Sequence, residues 1–222
     1  MEVLSRINNS HLYRQTIGLI RGIFASSDTK EKLNARMETL FSLTSCLFLK
    51  NGPRNKQKQH VLEKLAFYKE HISPNSRVVD VGCFDGYYTQ QLRQHGCETL
   101  GVDANIKVLE KTRSFDPEGK YVREFAENLS FPDNYFDVGL YSHILHHVLK
   151  PEEVIKEARR IIKPGGKIIV AVPLNLGVDA NHLRSFDRIQ LETLIRSYFP
   201  NVAYFPRIGK GHGCIASYNN QQ

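Results

Sequence analysis

Residues 78–89 read VVDVGCFDGYYT, an apolar run that breaks at Gly82 and resumes as a helix-forming segment after Gly86. A strand–turn–helix passage of this kind sets backbone N–H groups near a helix N-terminus, where an anionic group is favoured. Gly82 and Gly86 let the backbone turn and approach a ligand closely. A second apolar run ends in Gly101-Val102-Asp103, and an acid about 20 residues beyond such a loop is placed to accept hydrogen bonds from ribose hydroxyls. Together the two features point to a ligand that contains a nucleoside. A nicotinamide dinucleotide fits less well, because Gly82-Cys83-Phe84-Asp85-Gly86 does not supply G-x-G-x-x-G.

Histidines are the natural acid–base candidates, since imidazole titrates near neutrality. His143 follows an expected fourth strand at the edge where open α/β sheets bind ligands, which makes it the candidate general base. His146 and His147 are read as packing at the start of the next segment. His143 and His147 are spaced i, i+4, but without a third ligand or a Glu partner no metal site is expected. His182 in DANHLRSF and His212 in GKGHG are further options near a substrate entrance, set against a plain glycine turn at 210–213. Cys46, Cys83, Cys97 and Cys214 lie far apart in no CxxC pairing, so neither a disulfide framework nor a zinc knuckle is suggested. A reducing, cytoplasmic setting is expected.

The elements that must position these residues differ along the chain. Residues 1–73 lack period-2 runs and show apolar residues at helical spacing, as in Leu12, Ile17, Leu19, Ile20, Ile23 and Phe24, so a helical extension is expected there. Asp28 and Glu31 form a plausible capping box for its second helix, and a third is expected over 55–71. Residues 74–222 alternate short β-prone runs with amphipathic segments, the pattern of βαβ units around a parallel sheet. Strands are expected over 77–81, 99–102, 121–125, 136–141, 167–172, 202–205 and 214–218, with helices over 87–95, 106–114, 151–162 and 188–198. Only 206–213 separates the last two strands, too little for a helix. That linker must be a hairpin, which makes the last strand antiparallel.

With 222 residues and 41% hydrophobic content, the chain is large enough for one full α/β core plus a smaller appendage. Its formal charge of +7 is uneven. Residues 1–75 hold 12 Lys/Arg against 6 Asp/Glu and residues 76–222 hold 18 against 17, which is +6 and +1. The densest basic run, 50–60, reads KNGPRNKQKQH and suits either a solvated loop or an anionic partner such as phosphate, nucleic acid or a lipid surface. The longest apolar stretch, LFSLTSCLFL at 40–49, is too short to span a bilayer, so no transmembrane segment is expected.

Four blocks then occur in a telling order: VVDVGCFDG, LGVDAN, AENLSFPDNYFDVGLYSHILHHV and EARRIIKPGGKIIVAVP. In this the sequence resembles the class I S-adenosylmethionine-dependent methyltransferases, particularly the small-molecule branch that includes quinone-biosynthesis enzymes. The resemblance covers 77–205. It implies an α/β, Rossmann-like sheet of seven strands in the order 3-2-1-4-5-7-6, mostly parallel with the last strand antiparallel. Helices would cover both faces, under a helical cap at 1–73.

It also implies a site for S-adenosylmethionine, released as S-adenosylhomocysteine. Gly82, Cys83, Phe84 and Gly86 would line its methionine and ribose part, with Asp80 shaping the loop. Asp103 would bind the ribose hydroxyls, and Ala104 and Asn105 would flank the adenine. Ala126 and Glu127 match the family's Ala-Glu after the third strand, and Ser142 would lie under the methionine portion. Phe84 replaces the family's middle glycine, and Phe125 stands where many relatives have an Asp that receives the adenine amino group. The expected reaction is methyl transfer to a small-molecule or a glycan- or lipid-linked acceptor, with oxygen as the accepting atom. Two alternatives stay open: RNA methylation through the basic segment, and a non-catalytic cofactor-binding or scaffold protein.

Overall fold

The computed structural model describes residue 54, residues 58–174 and residues 183–218. The first two expected helices, the capping box at Asp28, the 40–49 stretch and His182 lie outside the described residues. Helix α1 (Gln59–His71) leads into β1 (Arg77–Val81), α2 (Tyr87–Gln94), β2 (Glu98–Asp103), α3 (Ile106–Phe115) and β3 (Tyr121–Arg123). The chain continues through β4 (Phe136–Ser142), α4 (Pro151–Ile161), β5 (Ile162–Pro173), α5 (Arg188–Arg196), β6 (Asn201–Ile208) and β7 (Gly211–Ser217).

The strands form one seven-stranded sheet in the order β3-β2-β1-β4-β5-β7-β6. β1 runs parallel to β2 and β4, with Val79 opposite Leu100 and Gly139. β7 is antiparallel to both neighbours, pairing Gly213 with Ala171 and with Phe205. This is the expected order, including the reversed last strand.

The central strands are apolar on both sides because both sides are covered. Val79, Val81, Ile168, Val170 and Val172 pack beneath α4 and α5, with Ile155, Ile161, Leu191 and Ile195. The alternate residues Val78, Val138, Leu140, Ile169 and Ala171 pack beneath α1 and α2, with Val61, Leu65, Tyr68, Tyr88 and Leu92. Period-2 alternation of side chains thus assigns each residue of a strand to one of two cores. Helix α3 closes over β2 and β3 through Leu109, which packs with Cys83 and Tyr121. Among the described residues no helix is long and apolar enough to cross a membrane.

Two expected boundaries are corrected. β3 stops at Arg123 instead of 125, because the chain turns back so that Asn128 N donates to Phe125 O at 3.0 Å. Glu124 holds that turn, accepting from both the backbone N–H and the hydroxyl of Ser130. β5 starts at Ile162 instead of 167, so α4 ends at Ile161. Phe136 pairs with Ile162 and Val138 with Lys167, and this register shift takes up the Lys-Pro-Gly-Gly residues. Gly165 N then donates to Tyr218 O at 2.8 Å, tying the bulged segment to the last strand's end.

Candidate functional site

The C-terminal ends of β1, β2, β3 and β4 and the residues after them form one edge of the sheet. After β1, Gly82 N and Cys83 N both donate to Val102 O, at 2.8 and 2.9 Å, so the loop folds over the neighbouring strand. Gly86 N donates to Cys83 O at 2.9 Å, closing the turn. Gly82 and Gly86 both have left-handed φ, +77° and +68°, which glycine adopts without steric cost. A Cβ at Gly82 would lie 2.9 Å from Ile144 Cδ1, so its absence lets the segment after β4 approach the loop.

Phe84, which the resemblance sets in place of a middle glycine, keeps a glycine-like backbone in the structure. Its φ is +50°, so the backbone keeps the left-handed turn that glycine would make. Such a conformation costs a bulky residue about 1–3 kcal/mol and persists only when its surroundings hold it. Here Phe84 N donates to Asp103 Oδ2 at 3.1 Å, and Phe84 O accepts from Thr112 Oγ1 at 2.7 Å. His143 is the second strained residue of this edge, with φ +61° directly after β4.

Asp103 is therefore the anchor of the loop. Its Oδ1 accepts from Asn105 N at 2.9 Å while Oδ2 holds Phe84 N. A carboxylate offers about four acceptor positions, so two remain for further donors. Burial pushes its carboxyl above the usual range, opposed by these two backbone N–H groups. Asn105 caps α3, accepting at Oδ1 from Lys107 N and Val108 N at 3.0 and 3.3 Å. Half-buried Ala104 accepts from Arg123 Nε at 3.2 Å. Ala126 is buried in the turn after β3, and half-buried Glu127 beside it has its carboxyl pushed up by burial.

Asp80 lies beneath the loop with 2% of its surface exposed. Its Oδ2 accepts from Thr89 Oγ1 at 2.6 Å. Burial pushes this carboxyl from 3.8 up to about 7, with the Thr89 bond pulling the other way. A linkage prediction follows. Above about pH 4 the unfolded chain releases this proton, whereas the folded chain keeps it until about pH 7. Stability therefore falls as pH rises through that window, by at most about 4 kcal/mol. Asp80→Asn is expected to flatten the decline, read from urea midpoints at pH 4.5 to 7.5. An unchanged slope would show that another group carries it.

Ser142 ends β4, and its Oγ shares a 2.7 Å hydrogen bond with the hydroxyl of Tyr68, which is fully buried on α1. His143 N donates to Ala171 O at 2.8 Å. Its Nε2 is buried, 3.3 Å from where a Cβ on Gly211 would lie, so this nitrogen faces β7. The 210–213 glycine run is not a turn rim. Gly211, His212 and Gly213 are buried within β7, and the turn is Gly209-Lys210. His212 Nε2 donates to Phe186 O at 3.0 Å, and Nδ1 shares a 3.1 Å bond with Tyr204 OH. Both nitrogens being used, His212 is a structural histidine, and burial pushes its pKa down. Among the described residues, no group of three His, Cys, Asp or Glu side chains is arranged to hold a metal ion.

Sequence reasoning gave no role to the helical residues around the loop. Arg54 belongs to the basic 50–60 run, yet it is spent internally. Its backbone N–H donates to Asp85 Oδ2 at 2.9 Å, and its guanidinium reaches Asp85 O and Gln90 Oε1. Asp85 also accepts from Tyr87 N at 3.2 Å, so one buried carboxylate joins Arg54 to the start of α2. Tyr68 and Lys64 occupy the buried stripe of α1 with Val61 and Leu65. A lysine on an apolar helical stripe is the signal that would have flagged this face.

Residues 79–170 match the family model of a methyltransferase domain. Over 131 residues the chain is 33% identical to the uncharacterized methyltransferase sll0829 of Synechocystis, covering 57% of this chain and 59% of that protein. Over 125 residues it is 28% identical to a ubiquinone biosynthesis O-methyltransferase of Coxiella burnetii, covering 53% of each. The chain thus spans little more than half the length of these relatives. A SAM-dependent methyltransferase from Archaeoglobus fulgidus superposes with a TM-score of 0.65 at 18% identity, covering 78% of this chain and 99% of that one. That likeness speaks for the fold. The matched residues hold the glycine loop, Asp103 and the end of β4, so the part of the chain that builds this sheet edge is the part similar to a methyltransferase domain.

Proposed function

We propose that the protein transfers a methyl group from S-adenosylmethionine to the oxygen of a small-molecule or a glycan- or lipid-linked acceptor. The observation that carries this reading is the bond from Phe84 N to Asp103 Oδ2 at 3.1 Å. It keeps the left-handed loop despite the missing glycine and leaves acceptor positions on Asp103 for two ribose hydroxyls. The residues present therefore fit the cofactor. Gly82, Cys83, Phe84 and Gly86 would hold its ribose and methionine part over Asp80. Ala104, Asn105, Ala126 and Glu127 would border the adenine, and Ser142 the methionine.

When bound, the cofactor supplies a methyl group on a positively charged sulfur, so the protein's task is chiefly alignment. The cofactor would give that methyl to the acceptor oxygen and leave as S-adenosylhomocysteine, while the hydroxyl proton would pass to a base supplied by this chain. His143 is the proposed base. Its Nε2 is buried against β7, so Nδ1 would take the proton. Oxygen as the acceptor draws support from the similarity to the O-methyltransferase of Coxiella burnetii.

Titration calorimetry of the purified chain tests the reading. It predicts saturable binding of S-adenosylhomocysteine and none of NADH at equal concentration. Absence of S-adenosylhomocysteine binding would remove it.

A further inference from the structure

The reaction proposed above leaves a lysine on the buried stripe of α1 without a use. Lys64 has 8% of its surface exposed. Burial alone pushes its ammonium down to about 8, with no charged neighbour contributing. Among the described residues no carboxylate or other acceptor pairs with it. Its Nζ lies 5.6 Å from the centre of the Tyr88 ring, and its Cγ would be 2.8 Å from a Cβ on Gly209. The ammonium thus sits in the notch between α1, the first turn of α2 and the β6–β7 turn.

This notch lies beside the sheet edge that carries the loop, where Gly211 pairs with Pro173 at the end of β5. One turn further along α1, Tyr68 reaches Ser142 at the end of β4. The Tyr88 hydroxyl beside Lys64 is itself buried with no hydrogen-bond partner among the described residues. Further positive charge gathers at the same place. His60 is pushed down by burial and then by Lys64, Lys210 and Lys58, with only Glu63 opposing. Glu63 is in turn drawn to Arg207 at 3.9 Å.

With its stem packed beside Tyr88 and Gly209 and its ammonium reaching the surface of the notch without a carboxylate among the described residues, Lys64 is placed to form a charge-assisted hydrogen bond to an anion. We propose that Lys64 is the counter-charge for a carboxylate or phosphate on a ligand at this edge, with His60 and Lys210 at its rim. The inference rests on the methyl-transfer reading, under which two ligands could bring the anion: an acidic acceptor, or the cofactor through its methionine carboxylate. Lys64 is thereby a specificity-determining residue that favours acids over neutral analogues.

Calorimetry on the full chain tests this with wild type, Lys64→Met and Lys64→Arg. The probes are S-adenosylhomocysteine, methylthioadenosine, which lacks the amino-acid carboxylate, and 4-hydroxybenzoate or inorganic phosphate added to the S-adenosylhomocysteine complex. The expected result is a loss of tenfold or more for at least one anionic probe in Lys64→Met, methylthioadenosine affinity unchanged, and recovery to within about threefold in Lys64→Arg. A loss confined to S-adenosylhomocysteine supports the cofactor's carboxylate as the partner. A loss confined to 4-hydroxybenzoate or phosphate supports the acceptor. If wild type binds S-adenosylhomocysteine and Lys64→Met matches it with every probe, the proposal is overturned while the methyl-transfer reading stands. Failure of wild type to bind S-adenosylhomocysteine overturns both.

Discussion

Asp103→Ala is expected to weaken S-adenosylhomocysteine binding about 100-fold. The carboxylate would lose two charge-assisted hydrogen bonds to ribose, worth roughly 1.5 kcal/mol each, and about 3 kcal/mol is a hundredfold in affinity. The substitution also frees Phe84 N and Asn105 N, which Asp103 accepts at 3.1 and 2.9 Å. Phe84 then loses a tie that holds its left-handed φ of +50°. Asp103→Asn separates the two effects, since its amide oxygen can still accept one backbone N–H. Calorimetry of the three proteins should rank them wild type, Asn, Ala. An alanine variant within threefold of wild type would detach Asp103 from the cofactor.

The largest expected effect on stability belongs to Gly86→Ala. Gly86 begins α2 with φ +68°, and an L-residue there costs roughly 1–2 kcal/mol. Its Cβ would also lie 2.5 Å from Thr112 Cγ2 and 2.6 Å from Tyr121 Oη. Neither neighbour is free to yield. Thr112 Oγ1 donates to Phe84 O at 2.7 Å, and Tyr121 OH donates to Asp116 Oδ2 at 2.7 Å. Overpacking adds about 1–3 kcal/mol, so a total near 3–4 kcal/mol is expected from urea unfolding. Gly165→Ala is the control, with φ +79° and nothing within 4 Å of its Cβ. It should cost only the conformational part. Equal losses for the two variants would refute the crowding argument.

The sheet was legible because its strands are buried on both faces and so read as apolar runs, unbroken at 168–172 and interrupted at 78–81 only by Asp80. The hairpin was legible from length alone, since 206–213 is too short for a crossover helix. The start of β5 was not. Pro164-Gly165-Gly166 carries the local signal of a turn, and only the register shift between β4 and β5 makes it part of a strand. His212 misled for a related reason. Flanking glycines suggested a loop, whereas the long pairing of β7 with β5 buries all three residues.

Within the site, the residues along β1 and β2 were legible because one strand–loop–helix unit sets them close in sequence. Tyr68 and Lys64 were not, because they precede β1 and reach the edge only when α1 packs on α2 and the last hairpin. Phe84 shows a third situation. Its residue type argued against a glycine turn, yet its backbone makes that turn because Asp103 and Thr112 hold it. Side-chain identity at one position was outweighed by two hydrogen bonds from elsewhere in the fold.

The most direct test of the central claim is a crystal structure with S-adenosylhomocysteine bound. The ribose hydroxyls are expected within hydrogen-bonding distance of both Asp103 oxygens, with the sulfur facing the notch between Ser142, Tyr68 and Lys64. A ligand whose ribose lies away from Asp103, or whose sulfur faces the opposite side of the sheet, would contradict the account.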